Sequence, residues 1–149
     1  MFDYKGRLTL TIIVRRFCKN GTWNFILSDQ ILGCIAGNDI SALNFRVSKA
    51  YSSLSCYTKP FDAVAAIGPW IVSSGLVPDP RTLKYITHFN WITKQDILTS
   101  NIIWSIKKIF QHLSQGIKIC TDIMIMTGAL SRVRYLRKEF LRNGDMIEA

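Results

Sequence analysis

Lys5 and Arg7 stand two residues apart at the head of the apolar run Leu8–Val14. In a strand, residues i and i+2 share a face, so two cations are aimed side by side where the chain enters its first extended segment. Such a pair is able to bind and polarise an anion, or it is a solvated edge. The segment Ile31–Asp39 reads as a buried strand that ends in a polar corner carrying Asp39. The cysteines, Cys18, Cys34, Cys56 and Cys120, form no CxxC pair and, with His88 and His112, no zinc-like spacing. They read as buried or free thiols of a reducing compartment, cytoplasmic or mitochondrial. His112 falls on a helical segment and reads as a solvated helical histidine.

The elements that must position these groups are mostly strands. Leu8–Val14 is rich in Thr and Ile and predicts a strand. Lys19–Thr22 is a turn, and residues 24–32 give a poor signal for a short helix. The serine-rich stretch Ser41–Lys59 lacks a period and reads mostly as loop. Ala63–Val72 is apolar and interrupted by Gly68-Pro69, and Val77–Pro80 is a tight turn. Thr82–Trp91 alternates as a half-buried strand does. One helix stands out: Thr99 or Ser100 caps it. Ile102, Ile103, Ile106, Ile109, Phe110 and Leu113 then form one apolar stripe, and Gly116 closes it. Asp122–Gly128 is a last buried strand. Asn143-Gly144 makes a turn, after which the chain stops where a partner strand would begin.

At 149 residues and 48% hydrophobic, the chain suits a single α+β domain with its own core. The net charge of +9 permits nucleic acid or an anionic surface as partner. The densest basic run, Arg132–Arg142, reads as a solvated face or loop. Aromatic residues are not regularly interleaved with the cations, so nothing in the motifs supports a basic nucleic-acid-binding protein. No segment reaches about 18 uninterrupted apolar residues, and no membrane span is expected. No signal-peptide pattern heads the chain.

Several stretches, in this order, resemble the fumarylacetoacetate hydrolase family. Lys59–Pro80 is similar to that family's Lys-x-Phe-Asp, Gly-Pro and Ile-Pro-Asp-Pro series. Gln95–Ile119 resembles its Gln-Asp-x-x-Thr helix ending in Leu-Ser-Gln-Gly. Gly37–Ala42 resembles its Asn-Asp-Val-Ser-Ala corner, Asp122–Gly128 its Asp-x-Ile-x-Thr-Gly loop, and the stretch Leu141–Asp145 its Asn-Gly-Asp turn. The resemblance implies a mixed, mainly β fold of sandwich or roll type, with one main helix at about residues 99–115. It implies one domain over residues 1–149, truncated at both ends relative to the family, and a homodimer or larger assembly.

The resemblance also implies chemistry. Family members cleave C–C bonds beside β-dicarbonyls, or decarboxylate or tautomerise oxaloacetate-like acids, with a magnesium or manganese ion as Lewis acid. Two glutamates and the corner aspartate hold that ion. Here Asp39 persists, while Lys5 and Arg7 occupy the two glutamate positions. Each replacement reverses the sign of a unit charge, and like unit charges about 4 Å apart repel by roughly 4 kcal/mol at an effective dielectric near 20. No metal cofactor is therefore expected. Lys5 or Arg7 either supplies Asp39 with its missing positive charge or points into water.

Of the other family positions, Lys59 and Thr127 match catalytic residues, and Gln95, near the mouth, and Asp62 match substrate-binding ones. The bland alternatives are a surface lysine, a strand-end hydroxyl and a polar loop. Two further departures fit lost chemistry. The family's glycine-rich closing loop reads Thr127-Gly128-Ala129-Leu130-Ser131-Arg132-Val133-Arg134 here, with arginines at two glycine positions. The His-x-x-Glu pair that many relatives carry ahead of the core has no counterpart in His88 or His112. The first expectation is a degenerate family member with little or no catalysis. The alternative is an active hydrolase, decarboxylase or tautomerase on a small keto acid.

Overall fold

A computed structural model describes residues 4–6, 8–20, 27–42, 59, 61–128 and 140–148. Its centre is an antiparallel sheet built on two long strands, β2 (Leu8–Val14) and β3 (Ile31–Asp39). β1 (Tyr4–Lys5) precedes them and pairs instead with β4 (Ser41–Ala42). β5 (Ala65–Ile67) and β6 (Val72–Ser73) add to β3, with the cis peptide Gly68-Pro69 between them. β9 (Met124–Met126) adds to the other side of β2, giving the order β5-β3-β2-β9.

Every residue of β2 is buried. Strands flank it on both sides, β3 along its whole length and β9 along Thr11–Ile13. Its β-branched Thr, Ile and Val side chains fit a pleated surface that is covered on both faces. Ile12 stands opposite Cys34 on one neighbour and Ile125 on the other. Thr9 faces Gly37, where a β-carbon would collide with Thr11 Oγ1. A side chain there would force the two central strands apart.

The helix covers this sheet. After a short α1 (Leu27–Gln30), the main helix is α2 (Ile106–Leu113), capped by Ser105 Oγ, which accepts from Lys108 N at 3.3 Å. Ile106 and Phe110 pack onto Leu10, Ile12 and Val14. Full burial of a side chain the size of Phe110 is worth about 1.5–3 kcal/mol. The helix starts later than Thr99. Thr99 is claimed by the end of a neighbouring strand: its hydroxyl accepts from Leu83 N at 3.0 Å and donates to Leu83 O at 2.9 Å. Thr99–Asn101 is therefore a single 3-10 turn, and Ile103 leaves the apolar stripe for solvent.

A second sheet stands beside the first. β7 (Lys84–Phe89) and β8 (Ile92–Leu98) form a hairpin, and β10 (Ile147–Glu148) pairs with β7 to give the order β10-β7-β8. The chain thus contains the terminal strand that the sequence reading omitted, with Ile147 opposite Phe89 and Glu148 opposite His88. Asn90 at the hairpin tip locks it: Asn90 Nδ2 donates to Asp145 Oδ1 at 2.8 Å, and Met146 N donates to Asn90 Oδ1 at 2.9 Å. The Asn90 amide, and then the backbone N–H of Arg142, hold the Asp145 carboxyl below the usual carboxylate range. Asp79 caps the turn after β6 in a similar way, its carboxyl lowered by hydrogen bonds from Arg81. The segment expected to be a polar loop around Gln95 is the body of β8. No helix among the described residues is long and apolar enough to cross a membrane.

Candidate functional site

Asp39 ends β3, and the chain turns there through Ile40 into β4. Two contacts fix the turn. Ile40 N donates to Val64 O at 2.8 Å, and the β1–β4 register sets Lys5 opposite Ser41. Lys59 reaches into this corner. Its ammonium donates to the Asp39 carboxylate, to Ser41 Oγ at 2.6 Å and to Ile40 O at 3.5 Å. One cation is ringed by oxygens from three consecutive residues. Charge-assisted bonds are the stronger kind, but this pair is partly open to water, so its net contribution to stability is of order 0–1 kcal/mol.

The cation on Asp39 is thus Lys59, a residue matched from sequence to catalysis. The side chains of Lys5 and Arg7, the cations first considered for that place, lie outside the described residues, as do Cys56 and the loop from Ala129 to Arg134. Ser41 was missed. It lies two residues beyond Asp39 in the Asn-Asp-x-Ser corner, and that spacing was the available signal.

Two of the remaining family-matched residues, Thr127 and Gln95, bond to β2 near the same end. Asn38 stands opposite Leu8. The Thr127 hydroxyl and amide both donate to Leu10 O, at 2.9 and 3.0 Å. Gln95 Oε1 accepts from Leu8 N at 3.2 Å and from Thr87 Oγ1 at 2.9 Å. Gln95 does not stand at a mouth. It is 3% exposed, because the hairpin register pairs it with Thr87 on the inner face. Its amide ties the second sheet to the first. Thr127 is a strand-end hydroxyl engaged with backbone, and Asp62 is exposed in the turn before β5.

Burial pushes the Cys34 thiol up, away from its reactive thiolate form. Cys18 is buried, Cys120 is exposed, and all three described cysteines are free thiols. His112 is exposed on α2, as a solvated histidine should be. Among the described residues, no three His, Cys, Asp or Glu side chains gather into a group able to hold a metal ion.

The likeness to known proteins covers almost the whole chain. It is 29% identical, over 98% of its length and 50% of the relative's, to the fumarylacetoacetate hydrolase domain-containing protein 2 homolog of Dictyostelium discoideum. It is 28% identical, over 98% of its length and 47% of the relative's, to the oxaloacetate tautomerase YisK of Bacillus subtilis. The chain therefore spans about half the length of these curated relatives. Among solved structures, yeast ynq8, a fumarylacetoacetate hydrolase family protein, superposes with a TM-score of 0.83 at 22% identity, over 98% of this chain and 62% of that one. The 5-carboxymethyl-2-hydroxymuconate delta-isomerase of Mycobacterium smegmatis gives 0.81 at 23% identity, over 97% of this chain and 53% of that one. These two show the mainly β fold. The family model for the C-terminal part of fumarylacetoacetate (FAA) hydrolase matches residues 3–149. A match over nearly every residue, on a fold shared with that family's solved members, establishes that the chain belongs to the fumarylacetoacetate hydrolase family.

Proposed function

We propose that this chain is a degenerate member of its family, keeping the fold while its divalent-metal site is lost, with little or no metal-dependent catalysis. The observation that carries this is the ammonium of Lys59 seated on Asp39. A hard divalent ion takes about six or more oxygen ligands, with carboxylates prominent among them. Positions 5 and 7 offer Lys and Arg, which have no lone pair to give. The Asp39 carboxylate and the Ser41 hydroxyl already hold an internal cation. The residues present do not fit magnesium or manganese. On this reading Lys59 neutralises an aspartate that would otherwise be a partly buried, unpaired charge. The protein then acts as a structural or interaction subunit, pairing with a second copy.

Manganese titration followed by electron paramagnetic resonance tests this. Free ion is expected at every stoichiometry, for the chain as it stands and for Lys59→Met. With magnesium present, oxaloacetate tautomerisation and decarboxylation are expected at the uncatalysed rate. Stoichiometric binding in the micromolar range overturns the proposal. A second reading is a working enzyme in which the cations of the corner polarise an anionic keto acid in place of a metal. The similarity to a protein named as an oxaloacetate tautomerase favours it. Metal-independent turnover that Lys5→Ala abolishes decides for this second reading.

A further inference from the structure

Two stretches of the sequence carry cations and no acid. Residues 4–28 hold Lys5, Arg7, Arg15, Arg16 and Lys19, and residues 97–121 hold Lys107, Lys108 and Lys118. The fold stitches the two together. Cys18 and Ile119 exchange both backbone hydrogen bonds, at 2.9 and 2.8 Å. Asn20 N donates to Ser114 O at 2.8 Å, and Gly116 N donates to Asn20 Oδ1 at 3.2 Å. The segment Arg15–Asn20 therefore lies along Gly116–Cys120, at the C-terminal end of α2. Asp29 and Asp122 flank only its inner end, through Arg15 N to Gln30 O at 2.6 Å and Asp122 N to Val14 O at 2.9 Å. None of the six cations Arg15, Arg16, Lys19, Lys107, Lys108 and Lys118 is in an ion pair among the described residues.

The same region exposes large apolar groups. Phe17 is 64% exposed and Ile117 59%. At the other end of α2, Ile103 is 88% exposed and Trp104 57%. Each of the two aromatics carries a lysine: Lys118 Nζ lies 4.5 Å from the centre of the Phe17 ring, and Lys108 Nζ 4.7 Å from that of Trp104. A groove of about 450 Å³ runs across α2 between Trp104, Lys108, His112 and Gln115. Gln111, on the same helix, also contributes to its lining.

We infer that this face docks on an anionic phospholipid surface. The cations of this face meet the negative headgroups. Phe17, Ile103, Trp104 and Ile117 enter the boundary between headgroups and acyl chains, while the lysine stems lie along the apolar surface with their ammonium groups in the headgroup layer. A nucleic acid matches this face less well. One face of each aromatic ring is already covered by an ammonium, and Ile103 and Ile117 gain nothing from a phosphodiester backbone. Attachment of this kind needs no spanning segment.

Co-sedimentation with phosphatidylcholine vesicles, with and without phosphatidylserine, tests the inference. The chain binds the anionic vesicles at low salt, leaves the neutral ones, and is released as salt rises. The double substitution Arg16→Ser with Lys118→Ser weakens binding by roughly tenfold or more. Ile103→Ser with Ile117→Ser weakens it at every salt concentration. Lys84→Ser, a cation paired with Asp96 on the other sheet, leaves it unchanged. All of these positions are exposed, and matching unfolding midpoints show that the variants fold. Equal binding to neutral vesicles, no binding, or indifference to the Arg16 and Lys118 substitutions overturns the inference. So does tighter capture by a single-stranded RNA oligonucleotide than by the vesicles. A fall in the mass of the assembly caused by the same substitutions, without vesicle binding, assigns the face to a second copy instead.

Discussion

The joint around Gln95 and the corner around Asp39 lie near the same end of β2, yet they are built on opposite terms. The joint is dry and neutral: one amide oxygen answers a backbone N–H and a hydroxyl that no water reaches. The corner is partly wet and ionic, with Lys59 folded onto a carboxylate. Burial makes the first intolerant of any missing partner. Solvent makes the second cheap to alter. Substitutions at the corner are therefore expected to leave the sheets beneath in register.

The comparison sharpens along a series of substitutions. Phe110→Ala, beneath the central sheet, sets the upper mark. A fully buried aromatic against β2 should cost about 3–5 kcal/mol in denaturant unfolding. Gln95→Ala comes next. It leaves the Leu8 N–H and the Thr87 hydroxyl buried without their acceptor, at about 1–3 kcal/mol for each unsatisfied group. A loss no larger than that of an exposed substitution would break the distinction between the two sites.

Asp145→Asn should have the smallest effect, and its signature is in pH. The folded carboxyl titrates below its unfolded value. The stability it lends is fully present above the unfolded pKa, and it drains away as pH falls through that value and then through the folded one. The parent should lose stability relative to Asp145→Asn across that acid window. Parallel stability curves for the two proteins would show that the Asn90 contact does not hold in solution.

Much of this was legible from residues alone. Leu8–Val14 and Ile31–Asp39 are strands with the bounds their patterns suggest, because the first is buried throughout, the second over much of its length, and both are composed almost wholly of apolar and small residues. The corner at Asp39 was also visible. The start of α2 was not. Thr99 is a good cap by type, but a strand end sixteen residues back in sequence, at Leu83, takes its hydroxyl. Nor was the place of Gln95. A polar residue in a β-rich stretch reads as surface until its partners, Leu8 and Thr87, are known. The terminal strand β10 is two residues long, too short to leave a period.

The Gln95 joint has a practical corollary. Its acceptor receives the backbone proton of Leu8, from the first long strand of the opposite sheet. Exchange of that one amide with heavy water measures how often the hairpin lifts off the molecule. Because a carboxamide does not ionise, the joint itself does not titrate, so a shift with ligand, lipid or partner, read at one fixed pH, reports mechanical seating.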